Sequence, residues 1–229
     1  MKDMNEIFKD ACNEYAKATG FITRVSEIIQ TKQPGFKTEI ALSQFDVILQ
    51  NILIACAIDD GRIFRIESSF IQKITDHADI LDYLNNAVQK KHSVSLDLSW
   101  ERLENLPKKQ LDQLKDIMKQ ELFDVINDFV QPFAIVDAID TANDHLSFFL
   151  DRILAIVGAM STISGSLETK EEAARVAQVL ADATKMFQTL FAKYEAAATT
   201  ALNNGAGQKQ NDTKSGSSSL KDFYNAKKN

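Results

Sequence analysis

Ile40-Ala41-Leu42-Ser43-Gln44-Phe45-Asp46-Val47-Ile48-Leu49-Gln50-Asn51-Ile52-Leu53-Ile54-Ala55-Cys56-Ala57-Ile58, followed by Asp59-Asp60-Gly61, is the stretch on which the fold turns. Phe45, Ile48, Leu49, Ile52 and Cys56 recur at helical spacing, and further apolar residues fall on the other faces. A helix that is apolar all round normally lies at the centre of its domain. Asp59-Asp60-Gly61 breaks the pattern. A helical period restarts near Arg65 with Ile66, Phe70, Ile71 and Ile74. The reading is a buried helix, an acidic turn and a second helix.

Upstream, Ile7, Ala11, Tyr15, Ile22, Val25 and Ile29 mark one helical face, stopped by Pro34-Gly35. Downstream, a helix is predicted from about Asp79 to Lys90. Val94, Leu96 and Leu98 alternate with polar residues, but without a partner strand they read as an extended connector. Trp100, Leu103 and Leu106 suit one or two helical turns. Pro107 fits a first helical position, where its missing N–H costs nothing. Leu111, Leu114, Met118, Leu122, Val125, Ile126 and Phe129 then form a stripe that Pro132 should kink or end. Helices follow at about Phe133 to Asp140 and Leu146 to Ser161. After the break at Ser164-Gly165-Ser166, Thr169 and Glu172 have capping-box spacing, and the last long helix should end near Asn203.

Glycine (8) and proline (3) are scarce in these 229 residues, which leaves room for long helices. The expected fold is all-α: a single bundle of about seven to nine helices over residues 1–203, with a disordered C-terminal tail at 204–229. Residues 205–219 are almost wholly polar and cannot offset their ordering entropy. A linker of that kind reaches about 20–25 Å on average. It ends in Leu220, Phe223 and Tyr224, an i, i+3, i+4 apolar cluster that is the candidate partner-binding element, followed by Lys227-Lys228.

Apolar residues make up 45% and charged residues 25%, ordinary values for a globular chain. The net charge of -6 argues against nucleic-acid binding, which needs Lys and Arg to displace phosphate counterions. Cys12 and Cys56 read as small buried apolar groups in a reducing compartment. No signal pattern opens the chain, and the most apolar run, Ile153 to Met160, is too short for a transmembrane segment. The expected location is cytoplasmic, with peripheral membrane contact open to the Lys227-Lys228 pair.

Asp60-Gly61-Arg62-Ile63-Phe64-Arg65-Ile66-Glu67 reads D-G-x-I-x-x-x-E. It is the second half of an EF-hand loop, but the first and third ligand positions would be Cys56 and Ile58, so an EF-hand is rejected. Ile54 to Ile63 with Glu67 resembles the signature of the tellurite-resistance TerB-like domain, in which an apolar helix ends in Ala-Asp-Gly and a Glu opens the next helix. Ala57-Ile58-Asp59 recurs as Ala138-Ile139-Asp140, though Gly61 then corresponds to Ala142 and Glu67 to Phe148. The resemblance spans about residues 40–165. It implies an all-helical fold of two pseudo-symmetric halves, a role in bacterial stress-response assemblies, and a divalent cation (Ca or Mg) at Asp59, Asp60 and Glu67. The same residues have a plainer reading. Asp60-Gly61 is an ordinary turn pair, Glu67 suits the positive end of a helix dipole, and three carboxylates without carbonyls make a poor cage for a hard cation.

His77, His92 and His145 are scattered and read as surface residues. No H-x-x-x-H, C-x-x-C, G-x-S-x-G or Gly-rich phosphate loop occurs. The leading expectation is a non-enzymatic binding or adaptor protein with a protein partner. The alternatives are a helical interaction or immunity-type protein unrelated to TerB, and an enzyme with dispersed residues.

Overall fold

Leu49 to Ile54 cover every face of one helix, and all six side chains are buried. Such a segment finds apolar neighbours on all sides only if other helices surround it. In the computed structural model they do. The structure describes residues 3–59, 61, 63–75, 79–90, 96, 98–139 and 145–208, without the side chains of 139 and 204–208. Eight helices are present among them: α1 (Met4–Lys32), α2 (Thr38–Ile58), α3 (Arg65–Thr75), α4 (Ile80–Lys90), α5 (Trp100–Leu103), α6 (Lys108–Ile139), α7 (His145–Ser164) and α8 (Lys170–Gln208). No strand occurs among the described residues; Leu96 and Leu98 lie outside regular structure.

α2 packs against α1, α3, α6, α7 and α8. Side-chain pairs fix the directions. Phe45 meets Phe129 while Asp59 meets Lys115, so α2 and α6 run antiparallel. Phe21 stacks on Phe148 while Glu14 meets Arg152, so α1 and α7 also run antiparallel. Arg175 reaches Asp59, the partner of Lys115, and Tyr194 donates to Asn127, so α6 and α8 run the same way.

The centre of the core is aromatic. Phe149 lies within 6.2 Å, centroid to centroid, of Phe21, Phe45, Phe129 and Phe133, mostly edge to face. That geometry sets the positive edge of one ring against the negative face of the next. Four helices therefore meet at one residue. On the opposite side of α2, the buried Asn51 donates to the Tyr83 hydroxyl at 2.6 Å and ties down α4.

Helix ends follow local chemistry. Gly165 ends α7 at φ +78, a conformation that only glycine adopts freely. Thr169 Oγ1 accepts from the Glu172 N–H and Glu172 Oε2 accepts from the Thr169 N–H, the expected capping box.

Three expectations need correction. Pro132 neither ends α6 nor splits it; the helix runs through to Ile139. Phe129, Val130, Phe133 and Ala134, all buried, hold both sides of the proline in place. Pro107 stands one residue before α6, where its carbonyl accepts from Gln110 and Leu111. α8 extends past Asn203 to Gln208. α2 and α7 are both long and apolar enough to cross a membrane by length and composition alone, with mean hydropathy 1.6, a test that a bundle's buried core helix also passes. An uninterrupted run misses this, because a few polar residues are diluted over a helix-length window. In α2 that window is 61% buried by other helices; in α7 only 33% is.

Phe149→Ala should lower the unfolding free energy by about 3–5 kcal/mol, the range for emptying a buried aromatic site. The half-exposed Ile28→Ala should stay within about 0.5 kcal/mol. Urea unfolding followed by circular dichroism measures both.

Candidate functional site

The acidic turn is built where α2 ends. Asp59 caps that end, so its carboxylate lies at the negative pole of the helix dipole, an unfavourable place for an anion. Lys115 of α6 offsets both charges: its Nζ donates to the Asp59 carbonyl at 3.0 Å and to Oδ1 at 2.8 Å. Arg175 Nε of α8 stands 3.8 Å from the other oxygen, Oδ2. Gly61 then turns the chain at φ +97. Its carbonyl accepts from the Leu106 N–H, and the Ile63 N–H donates to the Leu103 carbonyl, strapping the turn to α5.

Glu67 is buried in the first turn of α3, where its Oε2 accepts from the Phe64 N–H at 3.0 Å. Asp59 and Glu67 both act on the Cys56 thiol. Burial above all, with these two charges adding, pushes that thiol up to about 12. Of the two carboxylates, Asp59 is engaged by cations and Glu67 by backbone. Asp60, the third residue of the expected cation set, lies outside the described residues, as do Leu220, Phe223 and Tyr224. Asp140 of the echoed motif lies outside them too. No group of three His, Cys, Asp or Glu arranged to hold a metal occurs among the described residues.

His145 corrects the expectation of surface histidines. It is 2% exposed, with Nδ1 against Asp137 Oδ1 and its ring 5.3 Å from Phe21. Burial lowers its pKa. The pair joins the end of α6 to the start of α7. Adjacency in sequence gave no hint of it, because the partner lies on the preceding helix. His77 and His92 lie outside the described residues.

A second feature had no linear signature. α1 and α7 pack through Phe21 and Phe148 toward one end, and toward the other small residues line the space beside them. Ala11, Ala155, Gly158 and Ala159 leave a groove of about 900 Å³. Met4, Ile7 and Ile163 add apolar walls, and Asp10, Glu14, Glu168 and Lys17 carry its charges. Lys17, with Arg152, lowers the Glu14 pKa from its ordinary value. Nothing lies within 4 Å of where a Cβ on Gly158 would stand, so the floor is open at mid-length.

These features define an all-α bundle with an acidic helix corner and an open interhelical groove. No protein-family model, curated protein or solved structure matches the chain at a significant level.

Two outcomes test this account. Gly61→Ala meets only Leu111 Cδ2, at 3.6 Å, so its cost is conformational. It should destabilise by about 1–3 kcal/mol in chemical denaturation. Both cysteines are free, Cys12 half-buried and Cys56 buried. With a thiol-specific chromogenic reagent at mildly alkaline pH, Cys12 should react in the native protein and Cys56 only after unfolding.

Proposed function

We propose that this chain is a non-enzymatic binding or adaptor protein whose α1–α7 groove receives a helical segment of a protein partner. The observation that carries this reading is the groove itself. Its walls combine apolar side chains with polar and charged ones, and its floor is made of small residues that allow close backbone approach. It follows α1 from Met4 to Lys17, about 20 Å at helical rise. An amphipathic helix with apolar residues at i, i+3, i+4 and i+7 fits such a surface. A basic residue flanking the apolar face would complement Glu168 at one end of the groove, while Glu14 is held by Lys17 and Arg152. The stress-response setting belongs to this proposal through the TerB resemblance at residues 52–67 alone.

Fluorescence anisotropy with a labelled Leu/Lys model helix, and with its Leu/Glu counterpart as control, tests it. The basic helix should bind saturably, weaken with salt and lose affinity when Gly158→Leu fills the floor. Equal binding of both helices, or no binding up to millimolar protein, would overturn the groove reading.

A second reading is a divalent cation at Asp59 and Glu67. It is supported by the action of both charges on the buried Cys56 thiol. A cation there would have to displace Lys115 Nζ from Asp59. Calorimetric titration of Ca²⁺, Mg²⁺ and Mn²⁺ decides the matter. Saturable micromolar binding that disappears in an Asp59→Asn, Glu67→Gln variant would make the turn a metal centre, and silence to millimolar cation would leave it a helix corner.

A further inference from the structure

Two titratable side chains are buried together where α6 ends and α7 begins. Asp137 is 6% exposed and His145 2%. His145 Nδ1 lies against Asp137 Oδ1, and neither atom has another hydrogen-bond partner. The imidazole ring stands 5.3 Å from the ring of Phe21 on α1, which stacks in turn on Phe148 of α7. The pair therefore sits where α1, α6 and α7 meet.

Few other charges surround it. On α6, Asp137 is the one charged residue from Phe129 to Ile139. On α1, Arg24 reaches over the Phe21 ring, 5.9 Å from its centre. On α7, Arg152 lies over Phe148 and is held by Glu14, and Asp151 is exposed. On α2, which meets Phe149 through Phe45, Asp46 accepts from the Tyr15 hydroxyl. α8 carries no charged residue from Ala196 to Gln208. Asp140 and Asp144, between α6 and α7, lie outside the described residues.

A ring nitrogen and a carboxylate oxygen in contact need a proton between them. With a neutral imidazole it is the ring's own Nδ1–H, donating to the carboxylate. Acid adds a second proton at Nε2 and makes an imidazolium. Two effects then compete: Asp137 attracts the new charge, and removal from water opposes it. Burial prevails, and it lowers the His145 pKa from its ordinary value.

We propose that Asp137 and His145 form an acid-sensitive latch, which holds the α6–α7 corner against α1 while the imidazole is neutral and releases it when the imidazole is protonated. A chain opened at this corner takes up the proton at about pH 6.5, as an unperturbed imidazole does, and the closed corner takes it up only at lower pH. The latch thus contributes in full above about pH 6.5 and is lost progressively as the pH falls through the lowered native value. An imidazolium–carboxylate ion pair would have the opposite sign and gain strength on acidification.

Urea unfolding of the full chain, from about pH 7.5 to about pH 5.5, tests the latch beside His145→Asn, whose amide nitrogen replaces Nδ1 and does not titrate over this range. The unfolding equilibrium constant of the wild type, taken relative to that of the variant, should rise on acidification. The rise should be at most about ten-fold, the ratio of protonated to neutral imidazole one unit below pH 6.5. Taking the ratio removes the contributions of His77 and His92. Amide hydrogen exchange, corrected for its intrinsic pH dependence, should quicken on acidification in the last turn of α6 and the first turn of α7 before it does in α2. A ratio that stays constant or falls on acidification overturns the proposal, and so does unchanged protection at the corner. If helicity shows that His145→Asn does not fold, nuclear magnetic resonance titration of the His145 ring in the wild type decides instead. A midpoint below the ordinary imidazole value supports the latch, and one at or above it overturns the latch.

Discussion

The structure depends on keeping α2 out of water. Its middle six residues point in all directions and are all buried, so no single neighbour could satisfy it. Burying an aliphatic side chain of this size is worth about 1.5–3 kcal/mol relative to exposure. That return is collected only when helices from both halves of the chain close around α2. Phe149 makes this closure specific. Its ring touches partners on α1, α2 and α6, so the position of α7 is set by aromatic geometry rather than by general apolarity. The continuity of α6 through Pro132 follows from the same constraint: the lost backbone hydrogen bond is outweighed by packing on either side.

The acidic turn shows how one set of residues serves architecture. α2 has to stop, and its carbonyl end has to be neutralised. Asp59 would aggravate that end on its own, but by drawing Lys115 and Arg175 to it the turn joins α2, α6 and α8 at a single point. Gly61 supplies the positive φ, and Glu67 satisfies a backbone donor as α3 begins. Asp59 and Glu67, two of the three residues that suggested a cation ligand set, are thus engaged in the fold. The groove is the opposite case, since its side chains leave space unfilled. Aromatic contacts lie at the Phe21 end of the α1–α7 contact, and small residues line the groove at the other end.

Much of this was legible in linear order. Alternation of apolar residues at 3.6 spacing placed the helices, because burial of one face is a local pattern. Gly61, Gly165 and the Thr169–Glu172 capping box were legible because turn and cap chemistry acts over three or four residues. The engagement of Asp59 was not, since Lys115 lies 56 residues away and nothing in its own neighbourhood marks it. Nor was the burial of His145 against Asp137, which needs α6 and α7 folded against each other.

The sequence by itself determined an all-α chain, its central helix, its helix corners and a basic, apolar-tipped C-terminal segment. These are properties of short windows, fixed by periodicity, propensity and backbone freedom. Tertiary structure alone decided which carboxylates are paired, which histidine is buried, and that small residues far apart in the chain line one groove. Those outcomes depend on which helix faces meet, and that is set by the global requirement to surround α2, which no local pattern encodes.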